Sequence, residues 1–313
     1  DELVRVEGLS VPLASRPFSI RGRNVREAGR AAKAQMMVTG SVQVVGSHLR
    51  VRAQLVQVED EAVIWSLTPF DGDTAELIAM QDSITLGIVA ELRPRLAAST
   101  VAALKQRARP SNMQAYELYL QARQAMYLNT AAGYNRAITL LEKSLALDST
   151  YADTWAALGY AYGPMYIEGN LSPAEVTVRI RRAVERAIEL DSNNGWAFSI
   201  RGGLRMGYDW DWDAAGSDMR RAVRLSPASA DVELSYTYYL DMVGEPDSAL
   251  AHVRRAVSLD PTNPFMILNL ARRFAFAGMI DSAVAAYERT LVMDSAQDWA
   301  HAHLAQLFVA TGR

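Results

Sequence analysis

The sequence predicts an α+β amino-terminal domain, an antiparallel meander with helices, followed by an all-α array of helical repeats wound into a right-handed superhelix. Two observations carry this. From about residue 110 onward, small and helix-breaking residues recur every 34 positions: Gly244, Gly278 and Gly312; Pro227, Pro261 and Ser295; Ala249 and Ala283; Ala222 and Ala256. Ahead of that point the apolar period drops from that of a helix to two, the signature of strands with one buried face. A chain of 313 residues has the length of roughly two domains, and the division predicted is 1–108 and 109–313.

Within residues 1–108, Ser10–Arg16 reads as a strand and Asn24–Gln35 as a short helix. Val38, Gly40, Val42 and Val44 form one alternating row, Gly46-Ser47 supplies a turn, and Leu49, Val51, Ala53 and Leu55 form the next. Val63 and Trp65 fit a third strand. Asp73 or Thr74 is placed to cap a long helix running to about Ala98, with Leu77, Ile84, Ile88 and Leu92 on one face. A linker is expected over Arg107–Pro110.

In the second part, Trp155, Leu158, Gly159 and Tyr162 take the large–Leu–Gly–aromatic positions of a first helix, with Ile180, Val184 and Ala187 opposite them on a second. Ala137, Ala215, Ala249 and Ala283 sit where two helices must approach closely. Leu141, Val184, Met219, Val253 and Tyr287 take the large position on the same faces. Five repeats follow, at about 112–151, 152–194, 195–229, 230–263 and 264–297, with the start of a sixth at 298–313. The second is longer by an insertion that ends at Ser172-Pro173-Ala174-Glu175, a capping box with Pro at the first helical position.

The 34-residue period and these positions identify the repeats as similar to tetratricopeptide (TPR) repeats. Gly8-Leu9-Ser10-Val11, Ser15-Arg16-Pro17-Phe18, Arg21-Gly22-Arg23, Val38-Thr39-Gly40-Ser41-Val42, Leu49 to Leu55 and Ile64-Trp65-Ser66 resemble a TolB-like amino-terminal domain. Tyr208 to Trp212 and the Ala-rich helix after it resemble the repeats found with that domain in bacterial multidomain regulators. The resemblance implies an upstream output domain, a protein kinase, nucleotide cyclase or winged-helix domain, sometimes across a membrane span. It also implies a bacterial protein, extracytoplasmic or cytoplasmic. Asp1 to Val6 reads as the end of a helix whose start is missing, and Ala300–Arg313 stops as a repeat turns, so both ends are expected to be cut.

Composition narrows the function. Net charge is −3, with 13 basic and 12 acidic residues in 1–108 and 19 and 23 in the rest, which gives no footprint for nucleic acid or an anionic membrane. Cysteine is absent, excluding disulfides, thiolate catalysis and Cys-ligated zinc. No apolar run approaches the roughly 18 residues of a membrane span. No Gly-rich phosphate loop and no Gly-x-Ser-x-Gly elbow occurs. His48, His252, His301 and His303 lack the i, i+4 pairing of a helical metal site, so no catalytic, cofactor or metal residue is assigned. Arg16, Arg21, Arg23, Arg26 and Arg30 form a basic cluster, either a contact for phosphate or an acidic domain or a solvated face. Trp210 and Trp212 either form an exposed grip or staple the third repeat's turn.

The strongest functional expectation is a concave groove lined by the first helices, where side chains outside the packing positions face a protein or peptide ligand. Those positions hold Asp153, Ala156 and Tyr160; Trp196, Ser199 and Gly203; Asp231, Leu234 and Tyr238; Phe265, Leu268 and Arg272; and Trp299, Ala302 and Gln306. The binding residues expected are Tyr160, Trp196, Tyr238, Phe265, Arg272, Trp299 and Gln306, with packing between repeats as the competing role of the aromatics. Two settings fit: a sensory or scaffolding region of a regulator, or a free-standing scaffold or assembly factor of the cell envelope.

Overall fold

The computed structural model describes residues 24–31, 34–46, 48–73, 76–92, 110–166 and 171–312. The expected strand at Ser10–Arg16, the arginines at 16, 21 and 23, and most of the 107–110 linker lie outside the described residues.

Contacts gather the chain into two compact units, and each is described by itself. One holds Val38–Val56 and Val63–Pro227; the other holds the described residues up to Met37, Gln57–Ala62 and Ala228–Arg313.

Helix α1 spans Val25–Ala31, shorter than the expected 24–35, and Asn24 caps it by accepting the Glu27 amide at 2.8 Å. Strands β1 (Met36–Val45), β2 (His48–Gln57) and β3 (Val63–Ser66) follow in order across a sheet. A fourth strand, β4 (Phe70–Asp73), was not anticipated; it pairs antiparallel with the start of β2, Val51 facing Phe70 and His48 facing Asp73. Asp73 therefore ends a strand instead of capping a helix.

The alternation is realised on β2, where Leu49, Val51, Ala53 and Leu55 are all buried. It is not realised on β1, whose Val38, Val42 and Val44 are 48%, 64% and 58% exposed. The reason is position. Helix α2 (Leu77–Leu92) sets Met80 and Ile84 against Leu49, Val51 and Phe70 and Gly87 against Trp65, so its cover falls on β2, β3 and β4, while β1 lies at the sheet's edge. Gly87 lets α2 approach β3 closely: a Cβ there would sit 2.3 Å from the Trp65 ring.

Beyond residue 110 the described chain is helical hairpins. They are α3 (Met113–Met126) with α4 (Ala131–Leu147), and α5 (Ala152–Tyr162) with α6 (Pro173–Leu190). Next come α7 (Gly195–Leu204) with α8 (Trp212–Leu225), then α9 (Ala230–Met242) with α10 (Pro246–Leu259). Last are α11 (Pro264–Phe276) with α12 (Ile280–Met293), and α13 (Asp298–Thr311). Ala137, Ala215, Ala249 and Ala283 are wholly buried, and so, to within 2% exposure, are Leu141, Val184, Met219, Val253 and Tyr287. Small residues let helices cross closely and large ones fill the gap to the next pair.

The period of 34 has a backbone cause. Gly244, Gly278 and Gly312 occupy the left-handed region at φ 81°, 71° and 67°, where a Cβ is unfavourable, and each ends a first helix. In the third repeat that conformation falls on Trp210, at φ 56°, still 34 residues before Gly244 but eight after the buried Gly202, where Gly278 is seven after the buried Ala271. A π turn over Arg205–Asp209 supplies the extra residue. The insertion in the second repeat begins as a 3-10 turn at Gly163–Tyr166, and its exit at Ser172 is a complete capping box with Pro173 behind it.

Candidate functional site

Counted from the small residue at each crossing, each first helix has three expected groove positions, of which Ala156, Ser199, Leu234 and Leu268 are buried. In the first unit a connected aromatic cluster, largely buried, reaches these positions at Tyr160 and Trp196. The Tyr160 ring centroid lies 5.7 Å from that of Trp196 and 6.4 Å from that of Tyr134. The Arg123 guanidinium lies 5.0 Å over Trp196 and donates a 3.1 Å hydrogen bond to the Tyr119 hydroxyl. Tyr119 in turn stacks at 5.9 Å on Tyr116 and meets Tyr151 edge-on at 5.5 Å. Tyr160 keeps 37% of its surface exposed and Trp196 is half-buried, so the row has a wet side.

Tyr116, Tyr119 and Arg123 were not among the expected groove residues. The signal was available: they stand six and three before, and one after, the buried Ala122, as Trp196, Ser199 and Gly203 stand to Gly202. Asp153, expected to face the groove, is only 6% exposed. It accepts hydrogen bonds from Asn194 at 2.7 Å and from the Tyr151 hydroxyl at 3.2 Å, joining the start of α5 to the start of α7.

In the second unit the outward positions are more closely engaged. Tyr238 donates to Asn269 Oδ1 at 2.8 Å, and Arg272 Nη1 reaches the same oxygen at 3.4 Å. Phe265 packs with Leu268, Ala271, Ala283 and Tyr287 in the local core. Beside them Arg273, 7% exposed at its side chain, forms a 2.5 Å ion pair with Asp241 and lies 5.7 Å over the Tyr238 ring. Burial raises the Asp241 carboxyl above its ordinary pKa and lowers that of the Arg273 guanidinium; each charge opposes the shift of the other. Burial also raises the Tyr238 phenol. Trp299 is 62% exposed and stacks on His303 at 5.9 Å, and His303 contacts the exposed Gln306 at 3.3 Å.

The structure thus brings Tyr160 to Trp196, and Tyr238 to Arg272, within their own units. Tyr238 and Phe265 are packed, whereas Tyr160, Trp299 and Gln306 present open surface. An open depression of about 470 Å³ along α6 is floored by charged residues, of which Arg181 pairs with Asp209 and Arg186 with Glu189.

The histidines are held by local partners: His48 by Asp71, His252 by the buried Glu233 at 2.5 Å, and His301 by the Ser295 carbonyl at 3.0 Å. Among the described residues no three His, Cys, Asp or Glu side chains gather as a metal site, and no helix is long and apolar enough to cross a membrane. Arg26 and Arg30 are exposed, and Arg26 lies 3.8 Å from Glu61. Trp210, 71% exposed, meets Trp212 edge-on at 6.0 Å.

No family model matches the sequence. Over 159 residues the chain is 26% identical to the putative adenylate cyclase 3 of Rhizobium meliloti (strain 1021), a stretch that covers 50% of this chain. The same stretch covers 27% of the length of that curated relative. Among solved structures the chain is similar to a thermophilic TPR protein of Thermus thermophilus, with a TM-score of 0.51 at 17% identity, over 62% of this chain and 99% of that one. It is also similar to human IFIT1, solved as a dimer with m7Gppp-AAAA, with a TM-score of 0.53 at 15% identity over 75% of this chain and 58% of that one. The helical region has the TPR fold.

Proposed function

We propose that the repeats are a protein-interaction module that grips an extended protein or peptide segment along the outward face of its first helices. The observation that carries this reading is the pairing of Tyr160 and Trp196, each partly exposed, with Arg123 laid over Trp196. Large rings and an arginine held in one orientation lose little freedom on contact, which is why such residues concentrate binding energy. The module is read as binding without a reaction of its own.

Residues 1–108 are proposed as a TolB-like domain joining this module to an output domain of a bacterial regulator, with the array as 109–313. The partial likeness to a putative adenylate cyclase favours that setting over a free-standing scaffold. The gene's sequence upstream of Asp1 tests it: a cyclase, kinase or winged-helix segment is expected, and a signal peptide leading directly into a complete TolB-like domain overturns it. The binding reading is tested by affinity capture from the native organism with wild type and Trp196→Ala. Loss of a specific protein with folding intact supports it; identical capture moves binding off this face.

A further inference from the structure

The turns between the two helices of the fourth and fifth repeats form a second surface, distinct from the first-helix face. Met242 and Val243 end α9 at 68% and 41% exposure, and Phe276 and Met279 flank the next turn at 76% and 39%. Met242 and Phe276 stand 34 residues apart, at one frame position, and Gly244 and Gly278 give their turns the same left-handed backbone. Arg273 ties the turns together: it pairs with Asp241, next to Met242, and its guanidinium lies 5.6 Å over the Phe276 ring. Phe276 is thus held in place at the protein surface.

The two turn segments themselves are acidic. Residues 241–248 and 275–282 contain Asp241, Glu245, Asp247 and Asp281 and no lysine or arginine. Glu245, Asp247 and Asp281 are exposed, and the Arg273 guanidinium over the Phe276 ring is buried against Asp241. An apolar strip rimmed by carboxylates favours a ligand with apolar teeth flanked by cations and repels an anionic lipid surface. Adjacent packed helices lie about 8–10 Å apart, close to the roughly 10 Å that separates residues i and i+7 of a helix.

We infer that the α9–α10 and α11–α12 turns dock a basic amphipathic helix, its apolar stripe seated on Met242, Val243, Phe276 and Met279 and its lysines or arginines facing Glu245, Asp247 and Asp281. The test uses the full 313-residue chain and two labelled 14-residue synthetic helical peptides read by fluorescence anisotropy. Both carry leucines at i, i+3, i+4 and i+7; one is flanked by lysines and the other by glutamates. The lysine peptide is expected to bind and the glutamate peptide not to. Met242→Ser/Phe276→Ser should weaken binding at least tenfold with an unchanged melt, and Glu245→Gln/Asp247→Asn should weaken it severalfold and flatten its salt dependence. Trp196→Ala should leave it unchanged, which separates this surface from the proposed groove. Equal binding of both peptides, no binding of either, or indifference to Met242→Ser/Phe276→Ser overturns the inference. So does self-association of the chain that Phe276→Ser abolishes, since a second copy would then own this edge.

Discussion

The Tyr238 hydroxyl donates a 2.8 Å hydrogen bond to the side chain of Asn269, which tethers the first helix of the fourth repeat to that of the fifth. Asn269 is wholly buried, and its amide nitrogen donates to the Phe265 carbonyl at 2.8 Å. Tyr238→Phe keeps the ring and leaves this oxygen only the long contact from Arg272, so a loss of about 1 kcal/mol is expected. Tyr238→Ala also removes ring packing and should lose about 3 kcal/mol. Urea melts of the two variants check this; a Tyr238→Ala midpoint equal to wild type would return the residue to an open groove.

Ala249 is wholly buried at a helix crossing, within the α9–α10 hairpin. Ala249→Leu must push two helices apart and should destabilise by about 1–3 kcal/mol. Glu245→Gln, one turn earlier and exposed without a capping hydrogen bond, should stay within about 0.5 kcal/mol. Equal denaturation midpoints for these two variants would show that the repeat register is wrong.

The hairpins were legible because a close crossing and a left-handed turn each demand one residue type, Ala and Gly, at a fixed interval. Strand β4 was not. Phe70-Asp71-Gly72-Asp73 carries one large apolar residue, and what holds it is its backbone pairing with β2, the packing of Phe70 beside Leu49 and Val51, and Asp71 bonded by Arg50 and His48. Charge pairing across strands leaves no periodic mark in the strand itself. The extra residue between Gly202 and Trp210 was hidden similarly, since a single added residue shows as a longer repeat and not as a π turn. For the candidate site, frame position picked out Tyr160 and Trp299, which stay exposed, and equally Ala156, Ser199, Leu234 and Leu268, which are buried. It did not tell that the next helix offers Tyr238 an asparagine, or that Asp153 finds Asn194 and Tyr151, because those depend on the partners that packing brings to each side chain.

Asp148 ends α4 at 5% exposure. Burial alone would raise its pKa, but hydrogen bonds from Thr150 and Ser111 outweigh that and hold it at about 2, below the ordinary 3.8. A carboxylate with a depressed folded-state pKa contributes stability that is present above 3.8 and lost as pH falls toward about 2. Asp148→Asn lacks this titration. Its stability deficit against wild type should be constant above pH ~5 and shrink through that window. A deficit independent of pH down to the acid limit of folding would show that the carboxylate's charge is not what Ser111 and Thr150 hold.

Removing one partner of the Arg273–Asp241 pair strands the other charge in a site that already raises the carboxyl pKa by burial. Arg273→Met is expected to destabilise by about 3–5 kcal/mol, and Arg273→Met/Asp241→Leu by clearly less than the single change. The measurement is a double-mutant cycle in denaturant. Additive losses would mean that the two groups stabilise the fold independently and that the pair is an incidental contact.

The groove prediction belongs to the first unit, where rings are both ordered and wet. Trp196 is held between Tyr160, 5.7 Å away, and the Arg123 guanidinium, 5.0 Å above it, yet stays half-buried, so its ring is presented in one orientation at little further entropic cost. A ligand segment crossing α3, α5 and α7 would meet Arg123, Tyr160 and Trp196 together, and truncating an aromatic of this kind typically weakens binding by about 1–3 kcal/mol. Trp196→Ala and Tyr160→Ala should therefore lose partner affinity by that amount, whereas Arg123→Lys should lose part of it, since a lysine cannot reproduce the flat stacked guanidinium. Stability should respond less to Tyr160→Ala than to Trp196→Ala, because Trp196 also packs on buried Ala156 and Ala197. Affinity of the captured partner and a thermal melt, measured on each variant, separate the effects. A Tyr160→Ala protein that melts as wild type and binds as wild type would place recognition on another face of the repeats.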